Sequence, residues 1–139
     1  MQMKVFLSGS KTVVTLPEQL KRTIDRYYDE NAEFLIGDCF GADKLMQEYL
    51  YQKGYSCVTV YYSGTVLRWN VGNYPVKEIR VPDGVTGYAR FRLKDLAMSR
   101  DCDCAVMLWD GKTRGTGQNI LNMQRMGKPY TVFETEARR

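Results

Sequence analysis

The feature that most constrains this chain is an alternation. Short, nearly continuous apolar runs exchange with longer segments of helical period. The runs are "MKVFLSG" (residues 3–9), "AEFLIGD" (32–38), "SCVTVYY" (56–62), "CAVMLWD" (104–110) and "KPYTVFE" (128–134). A run of this length that is apolar throughout belongs to a strand buried on both faces. Between the runs lie segments suited to helices. "TLPE" offers Thr15 as a cap, Pro17 for a first turn and Glu18 to close a capping box, ahead of Leu20, Ile24, Tyr27 and Tyr28. In "GADKLMQEYLYQKG" the residues Ala42, Leu45, Met46, Tyr49 and Leu50 share one helical face, and Gly54 ends the helix. "YARFRLKDLAMSRDC" and "RGTGQNILNMQRMG" predict two further helices, the first with a less regular apolar pattern. Strands alternating with helices predict an α/β fold. The expectation is one Rossmann-like three-layer sandwich over residues 1–139, with a mostly parallel sheet of about five strands.

The middle of the chain breaks the pattern. Residues 63–87 contain Gly, Asn and two prolines, and read as a long loop with "VKEIRV" as a short strand. A long loop in a compact domain is commonly functional.

Composition narrows the chemistry. The formal charge is +4, spread along the chain without a like-charge block, which favours an anionic ligand and is no nucleic-acid signature. The tyrosines fit packing faces and form no aromatic ladder for a single strand. The expectation is therefore that nucleic acid is not the partner. No apolar run is long enough for a membrane span, and the N-terminus reads as a strand in place of a signal peptide, so a cytoplasmic protein is expected. The chain has no histidine and no C-x-x-C pair, so neither a zinc site nor a Ser-His or Cys-His nucleophile is expected, and no cofactor is called for. Catalysis, if present, falls to carboxylates, Lys, Tyr or Cys.

In open parallel sheets, ligands bind beyond the carboxyl ends of the strands. That rule selects three glycine-containing turns: "SGSKTVV", "GDCFGAD" and "WDGKTRGTG". Each precedes a helix, whose first turn presents unpaired N–H groups and the positive end of its dipole. Gly9 and Ser10 come from the first turn, Gly37 and Gly41 from the second, and Asp110, Gly111, Arg114, Gly115, Thr116 and Gly117 from the third. Together they make a candidate anion cradle, with Arg68 of "LRWN" and Lys94 as additional positive charge. An Arg beside a Trp in "LRWN" suggests base stacking with a phosphate contact, or a Trp that anchors the loop to the core or to another subunit. The alternative for each turn is architectural, since tight turns take glycine and helix starts take Ser or Thr as caps. None of the turns matches G-x-G-x-x-G or a P-loop.

Two blocks carry a resemblance. "LIGDCFGADKLMQEYL" resembles the "GGxxGADxLaxeya" segment of the SLOG superfamily, the Smf/DprA and LOG-like Rossmannoid proteins. "RLKDLAMSRDCDCAVMLWDGKTRGTGQNILNMQRMGKPYTVF" is similar to the "KDxxMxxxxDxxxxxWDGxSxGTxxNI" block of its small YspA/YpsA-related branch. The resemblance implies a Rossmann-like fold that binds a nucleotide or nucleotide-derived molecule, as a sensor or adaptor, and homodimers or higher oligomers. Some members cleave the N-glycosidic bond of a nucleoside monophosphate and carry "PGGxGTxxE". Here Gly115 and Thr116 match, whereas the glutamate falls on Asn119, which departs from that activity.

The leading expectation is a nucleotide-binding protein. The runner-up is a hydrolase of an N-glycosidic bond, for which a carboxylate must face the ribose. Asp38, at a strand end, and Asp43, in a first helical turn, are its candidate catalytic residues. A scaffold or a DNA-binding protein is the weaker alternative.

Overall fold

The computed structural model describes residues 2–64 and 66–135. In chain order the elements are β1 (Lys4–Gly9), α1 (Glu18–Asp29), β2 (Glu33–Gly37), α2 (Ala42–Gln52), β3 (Val58–Ser63), β4 (Val76–Ile79), α3 (Gly87–Asp101), β5 (Cys104–Trp109), α4 (Arg114–Arg125) and β6 (Tyr130–Glu134). The strands form one sheet in the order β4-β3-β2-β1-β5-β6, with every pairing parallel. This is the expected Rossmann-like sandwich with six strands in place of about five. The sixth is β4, whose VKEI is too polar to signal a buried strand. It lies at the sheet edge, mostly exposed, where only one neighbour need be satisfied.

Strand alternation sorts the core into two layers. Val5, Leu7, Phe34, Ile36, Val106 and Leu108 face α1 and α2, meeting Leu20, Ile24, Met46 and Leu50. Phe6, Leu35, Ala105 and Met107 face the opposite way, meeting Met98 of α3 and Met123 of α4. The double-sided burial explains why these strands read as apolar runs.

The loop expected across residues 63–87 is in part a crossover. Parallel neighbours need a long connection, and the segment between β3 and β4 supplies it with no helix among its described residues. Leu67 and Tyr74 pack into the α1/α2 layer. Gln47 of α2 fastens the segment: its amide donates to the carbonyls of Gly37 (2.9 Å) and Trp69 (3.2 Å), and its oxygen accepts the Val71 N–H (2.9 Å). Among the described residues, no helix is long and apolar enough to cross a membrane.

The strand order decides where a crevice opens. From β1 the chain steps through β2 and β3 to β4, then returns by α3 to place β5 on the other side of β1. Successive connections therefore diverge between β1 and β5, leaving a gap at their carboxyl ends.

Candidate functional site

A cavity of about 450 Å³ occupies this gap, within the range of pockets that take small ligands. Its walls come from the ends of β1 and β2, the first turns of α2 and α4, and the inward face of α3. Ser8, Ser10, Gly37, Asp43, Lys94, Thr116 and Asn119 form its buried part, with the half-buried Gly9 and Asp95 beside them and Phe6 and Met98 as an apolar floor. Lys11, Arg68, Arg92 and Arg114 bring further positive charge to the lining. With Lys94, five basic side chains face two carboxylates, Asp43 and Asp95, so the interior favours an anion.

The first turn of α4 is built to remain open. Its N-cap residue Thr113 makes no side-chain cap; its hydroxyl is hydrogen-bonded to Ser10 instead. Asp110 shapes the turn before it. One carboxylate oxygen accepts the N–H groups of Lys112 (2.8 Å) and Thr113 (2.7 Å), and the other accepts the Thr12 hydroxyl (2.7 Å). Burial pushes this carboxyl up, but the Thr113, Thr12 and Lys112 bonds outweigh it and hold the group well below the usual carboxylate range. Gly111 turns the chain at φ 78°. Gly115 faces open space, with no heavy atom within 4 Å of where a Cβ would stand, so the helix's unpaired N–H groups are approachable.

Beneath this helix end lies a buried polar chain. The Lys94 ammonium donates to Asp95 (3.1 Å) and to the Phe91 carbonyl (3.1 Å). Arg92 pairs with the other oxygen of Asp95 and donates to the Gly115 carbonyl (3.1 Å). Asn119, 2% exposed, donates to Ser8 (2.9 Å) and to Asp95 (3.3 Å). Among the described residues its Oδ1 has no partner. Burial lowers the affinity of Lys94 for its proton, but Asp95 and then Asp43 overcome this and raise its pKa, so it is a fixed cation. Asp43 is tuned the other way. Burial raises its carboxyl to about 7, with Lys94 and the Cys39 N–H (3.2 Å) only partly offsetting the cost. Such a carboxyl exchanges a proton near neutrality, as a general acid or base must. Cys39 also lines the cavity; burial, then Asp43, push its thiol up and keep it neutral.

Nine of the residues expected from sequence line this one cavity: Gly9, Ser10, Gly37, Asp43, Arg68, Lys94, Arg114, Gly115 and Thr116. Gly37 has a defined reason to lack a side chain, because a Cβ there would lie 2.6 Å from the Asp43 carboxylate and 3.2 Å from the Lys94 stem. At Gly9 a Cβ would lie 2.4 Å from that of Ala42, which ties this glycine to the packing of α2 on β1 as well. The others are placed elsewhere. Gly41, at φ 85°, presses on the Lys11 backbone; Gly117 packs beside Trp109; Asp110 and Gly111 shape the turn behind the cavity. Asp38, 1% exposed, is outside the lining and bound by Arg68. The guanidinium reaches it at 2.7 and 3.2 Å, and the Arg68 N–H at 3.0 Å. Arg68 lies over Phe91, not over the adjacent Trp69, whose ring instead carries Lys44.

Sequence reasoning left Tyr88 and Phe91 out of the site. A signal existed in the poor apolar periodicity of α3. Its buried residues are Lys94, Met98 and Ser99, so the inward face is largely polar.

No family model and no curated protein matches the chain. Among solved structures, DNA processing protein A from Helicobacter pylori, described for its single-stranded DNA binding mode, superposes with a TM-score of 0.65 at 17% identity. The match covers 94% of this chain and 64% of that protein, so the chain spans less than two thirds of its length. This likeness corrects the expectation against a nucleic-acid partner. A protein that binds single-stranded DNA is built on the same fold, and a missing aromatic ladder in the sequence does not exclude that partner. The shared architecture is the Rossmann-like sandwich; the superfamily and the small branch suggested by the sequence blocks go beyond what this likeness reaches.

Proposed function

We propose that the cavity binds a nucleotide or nucleotide-derived ligand, with its phosphate on the first turn of α4. The observation that carries this reading is the uncapped N-terminus of α4 opening, at Gly115, into a cavity lined by five basic side chains. A phosphate there receives backbone N–H groups and the helix dipole, with Arg114 and Lys11 nearby to neutralise it. The remaining volume accommodates a sugar and part of a base. If the bound nucleotide is also cleaved at its N-glycosidic bond, Asp43 is the expected carboxylate that faces it, because Asp38 is held by Arg68.

A thermal-shift titration tests the reading. Nucleoside monophosphates at millimolar concentration should raise the melting temperature, since a ligand at about 100 times its Kd adds about 2.7 kcal/mol. Absence of any shift across the four common bases rejects the nucleotide reading. A second reading, single-stranded DNA, is favoured by the likeness to DNA processing protein A. It is supported if an unphosphorylated oligothymidylate binds with a steep salt dependence while the mononucleotides do not.

A further inference from the structure

The mouth of the cavity carries two exposed aromatic rings, each covered by a guanidinium. Tyr88 is 40% exposed and Phe91 39% exposed, and both line the cavity. They stand three residues apart on α3, hence on one face of the helix. The Arg114 guanidinium lies 4.0 Å from the Tyr88 ring centroid, and that of Arg68 lies 4.4 Å from the Phe91 centroid. Neither ring belongs to the core, which this helix reaches through Ala97 and Met98. Cation–π contacts at half-exposed sites are weak enough to exchange for another planar partner.

We propose that Tyr88 and Phe91 form a stacking platform for the nucleobase of the bound ligand. The proposal rests on the nucleotide reading above and gives it a base-recognising subsite. A base laid on the rings takes the place of a guanidinium, and the displaced Arg114 turns toward the phosphate on α4, the helix it opens. Aromatic faces accept any base, so the platform separates nucleotides from sugar phosphates without choosing among bases.

Calorimetric titration of the four ribonucleoside monophosphates and of ribose 5-phosphate tests this. The unaltered protein should bind at least one nucleotide about tenfold or more tighter than ribose 5-phosphate, the scale of one base on an aromatic ring. In Tyr88→Leu/Phe91→Leu that preference should fall below about threefold while ribose 5-phosphate binds as before. Phe91→Tyr should retain the preference. Equal binding of nucleotides and ribose 5-phosphate by the unaltered protein overturns the platform and leaves the phosphate site standing. A preference that survives in the double variant also overturns it. If no phosphate compound binds, both the platform and the nucleotide reading fall. Should the double variant not fold, the single variants Tyr88→Leu and Phe91→Leu decide the matter: each should lose part of the preference, and a full preference in both overturns the platform.

Discussion

Asp43→Asn isolates the energetics of the site. The Asp43 carboxyl is raised from 3.8 to about 7, chiefly by burial. In the unfolded chain it ionises near its ordinary value. Below about pH 4 it is neutral in both states and costs nothing. Between about pH 4 and pH 7 the unfolded chain releases this proton while the folded protein keeps it, so the folded state loses stability as pH rises. Above pH 7 the cost is complete. A rise of about three units, at about 1.4 kcal/mol each, sets it at about 4 kcal/mol. Asparagine carries no such cost, and its oxygen can still accept the Cys39 N–H. Lys94 stays protonated throughout, so loss of its attraction to Asp43 enters once the carboxylate forms and is already contained in the shifted value. Urea unfolding of both proteins from pH 4 to pH 8 is the assay. The stability of Asp43→Asn relative to the unaltered protein should rise by about 4 kcal/mol across that range, a midpoint change of about 2 M for an m-value of about 2 kcal/mol/M. A difference that stays constant with pH, or that falls as pH rises, would falsify the account of Asp43 as a carboxyl penalised by burial.

Other substitutions separate binding from folding. Gly115→Glu meets open space, so its melting temperature should stay within a few degrees of the unaltered protein, while nucleotide affinity drops more than tenfold; retained affinity would remove the phosphate from α4. Gly9→Ala forces a Cβ to within 2.4 Å of that of Ala42 and should destabilise by about 1–3 kcal/mol in chemical denaturation, whereas no loss would mean that α2 shifts freely on β1. Arg68→Met leaves Asp38 buried without its cation and should cost about 3 kcal/mol, and an unchanged denaturation midpoint would show that the backbone N–H of residue 68 alone suffices for Asp38.

The alternation of apolar runs and amphipathic segments determined the fold class, because strands buried on both faces and helices buried on one face leave different periodicities in the chain. The same logic located the glycine turns that end β1, β2 and β5. β4 was weak in the sequence for a physical reason: an edge strand with exposed side chains needs no apolar pattern, and its partner supplies the backbone hydrogen bonds. Asp38, at a strand end, and Asp43, in the first turn of α2, were both candidates from the sequence. Only the tertiary structure separated them, by bringing Arg68 from the β3–β4 crossover onto Asp38 and leaving Asp43 to the cavity. Likewise α3 appeared as an irregular helix, and its polar inward face acquired meaning only when the strand order opened a gap between β1 and β5 for that face to line. Periodicity records whether a residue is buried against apolar neighbours. Which distant charges meet is set by how the chain reverses direction across the sheet, and local sequence does not encode that.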